Sequence, residues 1–133
     1  MERGDQPDVF VPPTVLDRVL TTDEDAALRW ILWLEDLAGA EELRAQISHV
    51  RAVWGRTTEL SLEVTDAAAA PVSDGILPAQ ALVVGEDDEP EGFIHVWVEN
   101  GYLKYLEYSW FTDRMPTEYP SPDRLRLFDP DVG

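Results

Sequence analysis

Gly92–Pro122, GFIHVWVENGYLKYLEYSWFTDRMPTEYPSP, decides the fold. At its centre Asn100-Gly101 separates two runs rich in aromatic and β-branched residues. This is the strongest short-range signal for a β-hairpin, because a type I′ turn needs positive φ at both central positions. A two-residue turn there sets Glu99 opposite Tyr102. Continued without interruption, the register places Val98 against Leu103, Trp97 against Lys104, Val96 against Tyr105, His95 against Leu106, Ile94 against Glu107 and Phe93 against Tyr108. One face then carries Ile94, Val96, Val98, Leu103, Tyr105, Glu107 and Phe111. The other carries Phe93, His95, Trp97, Lys104, Leu106, Tyr108 and Trp110.

Neither face is polar, so both are expected to be covered: the aliphatic one by helices, the aromatic one by a loop, a second copy or a ligand. Large rings mixed with His95 and Lys104 are the composition of a contact surface. The plainer alternative packs Trp97, Tyr108 and Trp110 beneath the N-terminal arm or the proline-rich tail.

Upstream, two more strands follow from period-two patterning, Val50 to Trp54 and Leu60 to Val64. A three-residue loop, Gly55-Arg56-Thr57, is preferred between them because it sets Ala52 against Leu60 and Val50 against Leu62. It leaves Arg51 on the outer face among Ser61, Glu59 and Glu63. Ala79 to Gly85 supplies a further strand, and Asp66 to Pro78 reads as a surface loop. Before the first hairpin the pattern is helical. Val15, Leu16, Val19 and Leu20 suggest a short helix, Thr22 with Asp25 a capping box, and a second helix runs to about Ala38, with Gly39 as its stop. A third spans Ala40 to about Ile47. Pro116, Pro120 and Pro122 forbid a central strand after Phe111, Asp113 is placed as the cap of that turn, and Leu125, Leu127 and Phe128 can add a short edge element. The expected fold is therefore α+β: two or three N-terminal helices on an antiparallel sheet of four to five strands built from two hairpins. Residues 1–133 are read as one domain, with a loose arm over 1–12 and a partly ordered tail over 123–133.

Composition narrows function. No cysteine is present, which removes disulfides, thiolate nucleophiles and Cys-ligated metals. The 27 acidic residues against 10 basic ones, a formal charge of −17, argue against nucleic acid and anionic membranes as partners. That charge serves solubility in the simpler reading and steers a basic protein in the sharper one; the scatter of the acids along the chain favours the first. The opening residues have no signal-peptide pattern and the longest apolar run is too short for a bilayer, so a cytoplasmic location is expected.

Three groups could do acid–base work: His95, Glu107 and Asp113. The uninterrupted register places Glu107 among apolar neighbours, where desolvation would raise its pKa, although a buried structural glutamate is the commoner outcome. The same register sends His95 and Glu107 to opposite faces and so disfavours a dyad. Neither HExxH, GxSxG nor GxxxxGK[ST] occurs, so no metal, cofactor or catalytic residue is expected, and enzyme status stays open.

AGAEELRAQISHV at Ala38–Val50 and HVWVENGYLKYLEYSWFTDRMPTEYPSP at His95–Pro122 resemble a family of small uncharacterised bacterial proteins sharing an LRxQ helix start, a VxxGxLxxLE hairpin and a DxxPTxxP tail. Many of those relatives carry cysteines before the second strand, where this chain has GRTTELSLEV, so no metal or redox role is implied here. The resemblance brings no activity, and toxin-neutralising immunity proteins of similar size and acidity are an analogy. The leading expectation is a non-catalytic module that binds a protein partner, or a second copy of itself, through Phe93, His95, Trp97, Lys104, Tyr108 and Trp110. The runner-up is a small-molecule-binding protein or enzyme with a pocket around Glu107, Asp113 or His95.

Overall fold

The computed structural model describes residues 12–34 and 36–128. The expectations for the arm before Pro12 and for the tail beyond Phe128 lie outside the described residues. In chain order the elements are β1 (Thr14–Arg18), α1 (Thr22–Leu34), α2 (Ala40–Gln46), β2 (Val50–Arg56), β3 (Glu59–Val64), β4 (Gly75–Ile76), β5 (Gln80–Val84), β6 (Pro90–Glu99), β7 (Tyr102–Trp110) and β8 (Leu125–Phe128). The strands form one eight-stranded antiparallel sheet in the order β1-β2-β3-β7-β6-β5-β8, with β4 pairing β6 off that path.

The expected sheet of four to five strands under two or three helices is thus corrected to a sheet-dominated α+β fold with two helices. The strands not expected are short, five residues in β1 and two in β4, and the expected edge element at Leu125, Leu127 and Phe128 is the four-residue β8. Segments of that length carry too few residues to display a period, and each is held by main-chain pairing to a longer neighbour. β1 is the instructive case. Val15 to Leu20 has helical spacing over little more than one turn, yet Thr14 and Val15 pair with Gly55 and Trp54, and Asp17 accepts hydrogen bonds from Arg51 at 3.0 and 3.2 Å.

The helix start also sits one residue earlier than expected. Thr21 Oγ1 accepts the Glu24 N–H at 3.2 Å, and the Glu24 carboxylate accepts the Thr21 N–H at 2.9 Å. This is the reciprocal capping box, and it satisfies two backbone donors that would otherwise be orphaned. Arg18 closes over the same carboxylate with bonds of 2.9 and 3.1 Å, which lets Glu24 be buried without an unpaired charge. Ala27, Leu28, Ile31 and Leu32 are the buried side of α1, whereas Trp33 and Leu34 remain exposed.

One contiguous core lies on one face of the sheet. It joins α1 and α2 to Val50, Ala52, Leu60 and Leu62, to Ile94, Val96, Val98, Leu103, Leu106 and Tyr108, and to Ala70, Leu77 and Tyr119 from the connections. The segment expected to be a surface loop therefore packs. Ala70 N–H donates to Gly101 O at 2.8 Å and Leu77 N–H to Val96 O at 2.8 Å.

Gln46 joins these parts. Fully buried, it donates through Nε2 to Gly101 O at 2.8 Å and to Ala68 O at 3.0 Å, and its Oε1 accepts the Leu103 N–H at 3.0 Å. Three bonds from one amide tie α2 to the hairpin tip and to the loop that crosses it. A Cβ at Gly101 would stand 2.6 Å from Ala70 O, so the loop could not close over any larger residue.

Both hairpins are bulged. In β2–β3 the turn is Thr57-Thr58, Arg56 faces Glu59, and a register shift between Ala52 and Trp54 sets Ala52 against Leu62 and Val50 against Val64. The expected three-residue loop is corrected accordingly. Gly55 lies within the strand, where a Cβ would meet Glu59 O at 1.9 Å, so the position requires glycine.

In β6–β7 the type I′ turn is as expected, with φ 54° at Asn100 and 84° at Gly101, and Val98 faces Leu103. The next pair is Trp97 with Tyr105, so Lys104 is an extra residue. From there every partner moves by one: Val96 faces Leu106, His95 faces Glu107 and Ile94 faces Tyr108. A one-residue slip exchanges faces. Leu106 and Tyr108 turn inward to the core, and Tyr105 and Glu107 turn outward.

Candidate functional site

The outward face is built of cross-strand rows. Ile76, Trp97, Tyr105, Ser61, Trp54 and Val15 stand in register across six strands. Beside this row runs a polar one, His95, Glu107, Glu59 and Arg56. At the far end Phe93 contacts Phe128 edge-on at 4.8 Å and Phe111 at 6.0 Å. No helix among the described residues covers this face. Trp54 is 45% exposed, Tyr105 42% and Phe111 56%.

Where the two rows meet lies a cleft of about 480 Å³ walled by Trp54, Trp97 and Tyr105, with Glu59, Ser61 and Glu107 among them and Pro13 also in its lining. The Trp97 indole N–H donates to Glu107 Oε1 at 3.1 Å. Glu59 Oε1 accepts from Arg56 at 3.1 Å. Lys104, at the bulge, holds its ammonium 5.9 Å from the Tyr105 ring centre.

His95 is half-buried between Phe93, stacked at 6.3 Å, and its cross-strand neighbour Glu107. Burial lowers its pKa, and the Glu107 charge opposes that shift. Among the described residues its Nδ1 has no hydrogen-bond partner.

The residues singled out in the sequence are thus redistributed. Phe93, His95 and Trp97 share the outer face, and Lys104 sits at its bulge. Tyr108 belongs to the core, with its ring 5.6 Å from that of Tyr119 and its pKa raised by burial. Trp110 packs partly buried against the core. Glu107, expected among core side chains, is on the outer face beside His95, so the dyad disfavoured on an uninterrupted register is a geometric neighbour pair. Asp113 is exposed in the turn after β7 and does not line the cleft. That turn is spanned instead by Thr112 Oγ1, which donates to Arg114 O at 3.0 Å.

Sequence reasoning missed Trp54, Glu59 and Tyr105, which depend on both bulges for their placement. It also missed Gln46, whose only signal is a polar residue in line with the apolar positions of a short helix. Among the described residues no three His, Asp or Glu side chains are grouped so as to hold a metal ion, and no helix is long and apolar enough to cross a membrane. Comparison with family models, with curated proteins and with solved structures finds no match to this chain.

Proposed function

We propose that this protein is a non-catalytic cytoplasmic interaction module that binds a protein partner through the outer face of its sheet, and that nucleic acid and membranes are not its targets. The observation that carries this reading is the row Trp97–Tyr105–Ser61–Trp54–Val15, which stands in register on a face that no described helix covers. Aligned rings offer large contact area at low entropic cost and are the usual centre of protein interfaces. Apolar surface left open in a well-packed domain is a contact surface more often than an accident. The charge of −17 supports the same view, since it disfavours phosphate chains.

A photo-crosslinking amino acid at Tyr105, compared with one at Glu42 on the opposite side, tests it in cells of the source organism. A partner captured at Tyr105 alone, and then bound by the purified proteins, is the expected result. Equal adducts at both positions, or none, would discard the reading. Light scattering separates a heterologous partner from a second copy.

The adjacency of His95 and Glu107 favours one second reading, a small-molecule site in the same cleft. A fragment screen by ligand-observed NMR tests it, with Glu107→Gln as the control. That reading is lost if no compound binds in a Glu107-dependent manner.

A further inference from the structure

Resting on the outer face as a contact surface, we infer that its cleft receives the guanidinium of an arginine presented by a basic protein partner. Glu59 and Glu107 stand directly opposite one another on β3 and β7. Like charges in facing positions repel, and a cation settling between them relieves that repulsion. Each is only partly engaged: Glu107 accepts from Trp97 through Oε1, and Glu59 from Arg56 through Oε1. Among the described residues neither Oε2 accepts a hydrogen bond.

Both carboxylates therefore line, with an oxygen unbonded among the described residues, a cleft whose walls include Trp54, Trp97 and Tyr105. A guanidinium fits that combination better than an ammonium. It is planar, lies flat on a ring face, and directs several N–H donors in its own plane toward separate carboxylates. The cleft volume of about 480 Å³ falls within the roughly 300–1,000 Å³ of ligand-sized sites.

Two cations lie nearby. Arg56 bonds Glu59 alone of the two carboxylates, and Lys104 lies over Tyr105. At the scale of the whole molecule, the excess of 27 acidic over 10 basic residues attracts a basic surface and aligns it before contact. The chain's own residues before Pro12 are poorer occupants by charge, having Arg3 but also Glu2, Asp5 and Asp8.

The test is an NMR titration of the full chain with N-acetyl-arginine methylamide, read at the indole N–H signals of Trp54 and Trp97. The neutral isostere N-acetyl-citrulline methylamide serves as control. Saturable shifts with arginine are expected, with citrulline and the double variant Glu59→Gln/Glu107→Gln each roughly tenfold weaker. Should the double variant lose the fold by circular dichroism, Glu59→Gln alone carries the comparison. An equal response to the two probes, or no response to either, overturns the inference. So does movement of both indole signals on Arg3→Gln without any probe, which would give the cleft to the chain's own arginine. If crosslinking at Tyr105 captures a partner while the arginine probe fails, the contact surface survives and only its arginine occupant is lost.

Discussion

The two faces of the sheet are made of the same kinds of side chain and differ in what lies over them. Toward the helices stand Leu106, Tyr108, Ile94 and Val96, all buried. Away from them stand Tyr105, Trp97, Trp54 and Phe93, which cover one another only in part. Apolar composition therefore does not say which face of this sheet is core. The assignment is made by single extra residues, Lys104 in β7 and a shifted position between Ala52 and Trp54 in β2, each of which exchanges the faces of the strand beyond it.

The comparison breaks most visibly at two adjacent residues. Leu106→Ala should cost about 3 kcal/mol in urea unfolding, because it opens a cavity at a fully buried position. Tyr105→Ala should change stability by less than about 1 kcal/mol while weakening binding of the captured partner by the purified protein. A larger loss at Tyr105 than at Leu106 would restore the uninterrupted register and with it the opposite assignment of faces.

Gln46→Ala comes next, at about 2 kcal/mol. It leaves the Leu103 N–H without its buried partner where the bulge begins, and it removes the bonds to Gly101 O and Ala68 O that hold the crossing loop. Deletion of Lys104 is expected to cost about 1–2 kcal/mol and to leave Leu106 protected in hydrogen exchange, since the residue removed is the unpaired one. A molten or unfolded product would show instead that the bulge is needed for the sheet's twist.

The smallest effect concerns pH. Burial holds the folded His95 below its ordinary value, so the unfolded chain binds the proton more readily. The stability due to this group is complete above the unfolded-state value of about 6.5 and is lost as pH falls through the lower folded value. His95→Gln should accordingly flatten the fall in urea midpoint between about pH 7.5 and about pH 5. An identical slope in the variant would mean that the histidine titrates as it does in solvent.

Much of the framework was legible because local chemistry dictated it. Asn100-Gly101 located β6 and β7 and fixed the turn and its first two pairs, period-two patterning located β2 and β3, and α2 was placed within a residue. The candidate site was much less legible, for a physical reason. A bulge has no sequence code comparable to that of a type I′ turn, because any residue can occupy the extra position when another group supplies a partner for the main chain it frees. Here that partner is Gln46, which bonds the Leu103 N–H from 57 positions away in the chain. His95 and Glu107 were separated on paper and joined in space by that one uncounted residue. The short strands β1 and β4 were misassigned or missed on similar grounds, being set by the strand beside them and not by their own residues.

The described ends of the sheet bear on how the molecule meets others. β1 is five residues long, follows Pro12-Pro13, carries Asp17 and Arg18, and breaks its pairing between Val15 and Arg18. β8, at the opposite edge, is four residues long and carries Arg126. Short length, proline, charge and irregular register are the devices that keep an open rim from templating further strands. A molecule with an aromatic face and guarded rims resists edge-to-edge stacking into fibres, and what it offers to a neighbour is side chains rather than main chain.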